Sequence, residues 1–127
     1  MTEEKKQKPP NPEKLNVPST TFLGEQDGQP ERELKANLVE LFRPDPDVRS
    51  AFLVRVRYKG SQYTNVALCL ETSREDADLV KALALIFHNM FGAHESLDIL
   101  FLRPEQLPQI SGVAKPFYTS PHPNSQL

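Results

Sequence analysis

The sequence predicts an α+β fold: a two-layer sandwich in which two helices cover one face of a three- to four-stranded sheet. Two amphipathic helical patterns flank a run of alternating apolar residues, and another apolar strand pattern follows the second helix. In chain order the elements read βαββαβ, the order of split βαβ (ferredoxin-like) sandwiches. A length of 127 residues, 38% apolar and 25% charged, suits one domain with one core.

The first strand and the first helix are predicted from turn signals and helical spacing. Thr21–Leu23 precedes Gly24 and Gly28, so a short edge strand is expected; without it the sheet has three strands. Pro30 suits the first turn of a helix, which should end before Pro44. The apolar stripe of this helix consists of Leu34, Leu38, Leu41 and Phe42.

A β-hairpin is predicted next. Apolar residues alternate from Val48 to Tyr58, KGSQ (residues 59–62) forms the connection, and the return strand runs from Tyr63 to Leu70. The residues expected on the core face are Phe52, Val54, Val66, Leu68 and Leu70. Arg55 and Arg57 are therefore expected on the opposite face.

A second helix and a last strand complete the predicted domain. Ser73, with Asp76 three residues later, resembles a capping box, and Gly92 is expected to end the helix. The apolar stripe of this helix consists of Val80, Leu83, Ala84, Phe87, Met90 and Phe91. Leu97–Leu102 is apolar at five of six positions, which predicts a central strand. Five prolines follow, so an extended or looped chain is expected beyond it.

Composition disfavours several classes of function, although a local basic patch or RNA binding stays open. A net charge of −2 and a pI near 5.9 argue against binding to nucleic acid or to an anionic membrane. Cys69 is the single cysteine and has no partner for an intrachain disulfide. Residues 1–20 are proline-rich and predict a disordered leader rather than a signal peptide, residues 21–118 the domain, and residues 119–127 a flexible tail. A cytoplasmic location is expected.

Two short motifs carry a resemblance to a known family. A strand entry of the form Pro-x-Val-x-x-Ala-aromatic-Leu is followed, near the end of the domain, by Pro-Phe-Tyr. The matching residues are Pro46, Val48, Ala51, Phe52, Leu53, Pro116, Phe117 and Tyr118. With the acidic helix before them, they resemble the C-terminal domain of SseB, the enhanced serine sensitivity protein family of bacteria. The resemblance implies a cytoplasmic bacterial protein without an established catalytic mechanism.

Residues that carry chemistry do not converge in the sequence. His88, His94 and His122 lack the spacing of a metal or His-Glu-x-x-His site, although His94 could form a polar cluster with Glu95 and Asp98. Cys69 alternates within a strand, where cysteine behaves as a small apolar residue. No catalytic residue, metal or cofactor is therefore predicted. Enzyme activity stays open but is not favoured.

The candidate binding residues are Arg55, Arg57, Tyr63, Phe117 and Tyr118. The interval from Val48 to Leu70 contains basic residues and no acid, so the sheet face around the arginines could bind an anion or an acidic partner segment, or could simply be solvated. A non-catalytic interaction or regulatory module with a protein partner or a second copy is the leading hypothesis. A small-ligand or anion-binding protein, with or without enzyme activity, is the alternative. We expect Phe117 to pack on the domain and Tyr118 to lie at its rim.

Overall fold

A computed structural model describes residues 20–95 and 97–122. Its strands are β1 (Thr20–Glu25), β2 (Val48–Tyr58), β3 (Asn65–Thr72), β4 (Asp98–Phe101) and β5 (Tyr118–Thr119). Its helices are α1 (Gln29–Phe42), α2 (Ala77–Phe91) and α3 (Leu107–Ser111), the last preceded by a 3-10 turn over Pro104–Gln106. The predicted leader, apart from Thr20, and the last five residues of the predicted tail lie outside the described residues.

The α+β class and the βαββαβ order are confirmed. The sheet runs β1-β2-β3-β4, with β1, β2 and β3 antiparallel in turn and β4 parallel to β3. A split βαβ unit has another strand between its two parallel strands. Here β3 and β4 pair directly, so the sheet does not have the split βαβ arrangement. The prediction that the last strand is central was wrong: β4 lies at the edge of this sheet. It is apolar nonetheless because both of its faces are partly covered.

Both faces of the sheet are apolar, and the strand register shows which residues share a face. Leu53 lies opposite Leu68, whereas Phe52 lies opposite Cys69. The prediction that Leu68 and Leu70 share a face with Phe52 was therefore wrong. On the helix face, α1 and α2 pack with Leu34, Leu38, Phe42, Leu79 and Leu83 against Ala51, Leu53, Leu68 and Leu70. The second face buries Phe22, Phe52, Val54, Val56, Ala67, Cys69 and Leu100.

The C-terminal segment covers the second face, so the prediction of an extended or looped chain after β4 was wrong. Pro104 and Pro108 occupy the first turn of the 3-10 turn and of α3, where a missing N–H costs nothing. Ile110 and Ala114 then pack on the sheet. The chain turns back to the sheet, and β5 pairs with β2, Tyr118 lying opposite Ala51.

The helices begin and end for identifiable reasons. Helix α1 spans the predicted residues and opens with Pro30 in its first turn. Helix α2 is capped by Asp76, whose side chain accepts hydrogen bonds from the backbone N–H groups of Asp78 and Leu79. The predicted cap, Ser73, instead donates its hydroxyl to Asp47. Gly92 ends α2 at φ 103°, a conformation that favours glycine, as predicted.

Of the two terminal aromatic residues, Phe117 packs on the domain as expected, whereas the prediction that Tyr118 lies at the rim was wrong. Tyr118 is 6% exposed, and its hydroxyl donates to the backbone oxygen of Phe42 at 3.2 Å. Phe117 is only partly buried beside the same core, with its ring centroid 6.4 Å from that of Phe42. The alternation along β5 directs Tyr118 inward because its neighbour across the strand pair, Ala51, is on the helix face.

Candidate functional site

Two exposed arginines lie at the hairpin end of β2. Arg55 and Arg57 follow Leu53 at alternate positions, so their side chains leave the sheet on the helix face and not, as predicted, on the opposite one. A Cβ on Gly24 of β1 would lie 2.8 Å from Nη2 of Arg55. The bare glycine therefore leaves room for the Arg55 guanidinium to lie over the neighbouring strand.

The loop after these arginines presents an aromatic ring to solvent. Tyr63 is 77% exposed, and its backbone N–H is held by the Ser61 hydroxyl at 3.0 Å. Gly60, at φ 86°, allows the chain to turn back here. We call Arg55, Arg57, Lys59 and Tyr63 the basic hairpin surface. Within residues 20–95 and 97–122, none of its three cations forms an ion pair.

Cations on α1 have a different environment. Lys35 contacts Glu25 at 3.2 Å and Asp27 at 3.1 Å, and Arg32 contacts Asp27 at 3.3 Å. The hydrogen bond from Lys35, followed by that from Arg32, lowers the pKa of Asp27. Among the residues that the structure describes, the positive charge of α1 is thus paired with carboxylates, whereas that of the basic hairpin surface is not.

A polar cluster on the second sheet face was not predicted. The Tyr58 hydroxyl donates to Oδ2 of Asp98 at 2.6 Å, and Nδ2 of Asn65 donates to the same oxygen at 3.3 Å. Burial and the Asp98 carboxylate raise the pKa of Tyr58 well above its usual range. The signal in the sequence was the single acid in an otherwise apolar strand. Its partners could not be found because they depend on the strand register.

The cysteine beside this cluster is in an environment that makes its thiol unreactive. Cys69 is fully buried, and burial, with a smaller contribution from Asp98, raises the pKa of its thiol far above the usual value. A reactive cysteine needs the opposite, an accessible thiol with a lowered pKa.

The histidines are dispersed. His88 and His94 are exposed, and Nε2 of His122 lies 2.9 Å from the backbone oxygen of Arg43. His94 and Glu95 take no part in the Asp98 cluster. Across the described ranges no three His, Cys, Asp or Glu side chains are grouped to hold a metal ion. No helix in those ranges is long and apolar enough to cross a membrane.

One cavity opens near the basic hairpin surface. It has a volume of about 220 Å³ and lies between the two long helices and the sheet. Its lining comprises Glu31, Leu34, Leu53, Val66, Phe87, Phe91, Glu95 and Leu97. Its charged lining residues are both acidic, and neither Arg55 nor Arg57 belongs to it. This cavity is therefore not the anion site predicted for the arginines, which lie on open surface.

Comparison with known proteins yields one family. The model of the SseB protein C-terminal domain matches residues 21–120. The match begins in β1 and ends just after β5, so it covers both core clusters and the basic hairpin surface. No curated protein matches the chain, and neither does any solved structure.

Proposed function

From the premise that the chain belongs to the SseB protein C-terminal domain family, we propose that it is a non-catalytic interaction or regulatory module of the cytoplasm. Its basic hairpin surface binds an acidic, extended segment of a protein partner. The observation that carries this proposal is a set of exposed cations without ion pairs in the described chain, next to an exposed tyrosine.

The spacing of the arginines favours an extended partner. Arg55 and Arg57 are two residues apart on one strand, so their Cα atoms are separated by roughly 6.5 Å. An extended peptide with acids at alternate positions has the same repeat. Each guanidinium can then bind one carboxylate with two hydrogen bonds. Tyr63 adds the type of side chain that is enriched at the centres of protein interfaces.

The proposed role is non-catalytic because the single cysteine, Cys69, is not placed to act as a nucleophile. The Cys69 thiol is enclosed by the sheet and α3 and is held protonated. A non-catalytic role agrees with that environment. Substrate turnover lost on changing Cys69 or His94 alone would contradict it.

A synthetic peptide tests the binding surface. We expect an acidic peptide with glutamates at alternate positions to bind, and Arg55→Gln with Arg57→Gln to weaken it at least about tenfold. The affinity should also fall with added salt. Arg43→Gln is the matched control, because this exposed arginine is paired with Glu40 on α1. A control variant that weakens binding as much as the double variant would contradict the proposal.

A small anion is the second candidate ligand, favoured by the same unpaired arginines. Thermal-shift measurements with nucleotides and organic acids separate the two candidates. Stabilisation that is lost in the Arg55→Gln, Arg57→Gln variant supports a small-anion site. If no nucleotide or organic acid stabilises the protein and the acidic peptide binds, the result supports a protein partner.

A further inference from the structure

A second cavity lies at the opposite end of β2 from the basic hairpin surface. It has a volume of about 260 Å³ and is bounded by β2, the end of β3 and the segment that leads into α3. We call it the bulge cavity; its lining comprises Arg49, Glu71, Thr72, Ser73, Leu102, Pro104 and Leu107. The cavity is open to solvent, and its volume is far above the ~10–15 Å³ that a single water molecule needs, so it has room for a small organic ligand.

An irregularity in the sheet places a cation in this cavity. Val48 pairs with Thr72 and Ser50 with Glu71, so Arg49 has no direct partner on β3. Such bulges redirect a side chain and are frequent beside binding sites. The backbone oxygen of Arg49 accepts a hydrogen bond from the N–H of Ser120 at 2.8 Å, which fixes the bulge from the other side.

The cavity also has hydrogen-bond acceptors. One oxygen of Glu71 accepts from the Ser50 hydroxyl at 2.8 Å, and the carboxylate forms no ion pair within residues 20–95 and 97–122. The hydroxyl of Thr72 donates to the backbone of Arg74, and that of Ser73 donates to Asp47. Because both hydroxyl hydrogens are in use, these groups can act only as acceptors toward a ligand.

From these contacts we infer that the bulge cavity binds a free α-amino acid with an apolar side chain. Arg49 binds the α-carboxylate, because a guanidinium is a two-pronged donor for a carboxylate. Glu71 accepts hydrogen bonds from the α-ammonium group, and the hydroxyls next to it are further acceptors. Leu102, Pro104 and Leu107 provide the apolar wall for the side chain. A singly charged ligand would leave either Arg49 or Glu71 without its counter-charge.

The inference is tested with L-leucine and two derivatives that each lack one charge. N-acetyl-L-leucine has no ammonium group, and L-leucinamide has no carboxylate. Titrations followed by the NMR backbone amide signals should show L-leucine shifting residues 71–73 and 102–107. Both derivatives should bind at least about tenfold more weakly.

Two variants assign each charge to its partner. Arg49→Gln should remove the preference for L-leucine over L-leucinamide. Glu71→Gln should remove the preference over N-acetyl-L-leucine while keeping an acceptor for Ser50. Arg43→Gln is the control: this exposed arginine is paired with Glu40, lies outside the cavity and outside the basic hairpin surface, and its loss should leave binding of L-leucine as in the wild type.

Three outcomes would overturn the inference. They are the absence of a saturable shift with L-leucine, equal binding of either derivative to the wild type, and unchanged preferences in the two cavity variants. Native amide dispersion in each variant's spectrum identifies a folded protein, so weaker binding can be separated from unfolding.

Discussion

At the residue scale, the burial of Cys69 makes the free energy of unfolding depend on pH. Its thiol is neutral in the folded state because burial raises its pKa, whereas in the unfolded chain it ionises near pH 8.5. Above that pH the unfolded state binds fewer protons than the native state, so the free energy of unfolding must fall as pH rises. For one such group the slope approaches about 1.4 kcal/mol per pH unit. Tyr58 adds a similar loss only above pH ~10, its usual pKa in an unfolded chain.

The Cys69→Ala variant measures this contribution. Urea denaturation of wild type and variant from neutral pH to just below ~10 should show a steeper loss of stability in the wild type. Removing the buried sulfur lowers the free energy of unfolding of the variant at neutral pH, so the comparison is between the slopes of stability against pH. If the free energy of unfolding fell equally steeply with pH in both proteins, Cys69 would not be the cause of the loss of stability at alkaline pH. A thiol reagent should not react with Cys69 in the folded wild type and should react once the protein is unfolded.

Tyr118 provides a second prediction at this scale. Its ring contacts Phe42, with centroids 5.4 Å apart, and its hydroxyl shares the Phe42 oxygen with the N–H of Asp45. Tyr118→Phe should cost only about 0.5–1.5 kcal/mol, because that oxygen keeps one hydrogen bond. Tyr118→Ala should cost about 3–5 kcal/mol. Urea denaturation measures both values. Equal losses would show that the hydroxyl, and not the ring, provides the stabilisation.

At the element scale, two substitutions test which residue caps the start of α2: Asp76, as the structure shows, or Ser73, as the sequence predicted. Asp76→Ala should lower the free energy of unfolding by about 0.5–2 kcal/mol, because its carboxylate accepts from two backbone N–H groups. Ser73→Ala should cost no more than about 0.5 kcal/mol, because Ser73 is exposed and contacts Asp47 instead. Thermal or urea denaturation of the two variants decides between them. A larger effect at Ser73 would favour the cap predicted from sequence.

Helical elements with strong local signals could be predicted from sequence. Pro30 and the apolar stripe of α1 define that helix, and Gly92 marks the end of α2. The C-terminal helix α3 was missed because five prolines in this segment argue against regular structure, although Pro104 and Pro108 occupy first-turn positions that tolerate proline. Strand β5 was missed because two residues carry no readable period, and only its pairing with β2 defines it.

At the scale of the whole molecule, the two-sided sheet explains the errors about faces. Residues 51–54 are apolar without interruption and are buried on both sides, so alternation cannot indicate which set faces the helices. The exposure of Arg55 and Arg57 was predictable from their charge, but the side of the sheet was not. The bulge cavity depends on a register shift and on α3, neither of which leaves a local signal.

The two core clusters lie on opposite faces of the same central strands, which predicts one cooperative unit. Leu83 of α2 is buried in the helix-face cluster, and Ile110 of α3 in the second-face cluster. Packed layers are about 10 Å apart, so the two side chains share no direct contact across the sheet. Leu83→Ala should cost about 2–5 kcal/mol and Ile110→Val about 0.5–1.5 kcal/mol. Sites this far apart add, so the double variant should lose the sum within about 0.5 kcal/mol.

Denaturation followed by far-UV circular dichroism and by tyrosine fluorescence tests this cooperativity. Both probes should report one coincident transition in the wild type and in all variants, because β2 and β3 contribute to both clusters. Val113→Ala, at an exposed position beside the second cluster, is the control and should change stability by less than about 0.5 kcal/mol. If Ile110→Val instead produced an early transition seen by one probe, the C-terminal segment would unfold separately from the sheet. The bulge cavity, which includes the start of that segment, would then form and disappear independently of the core.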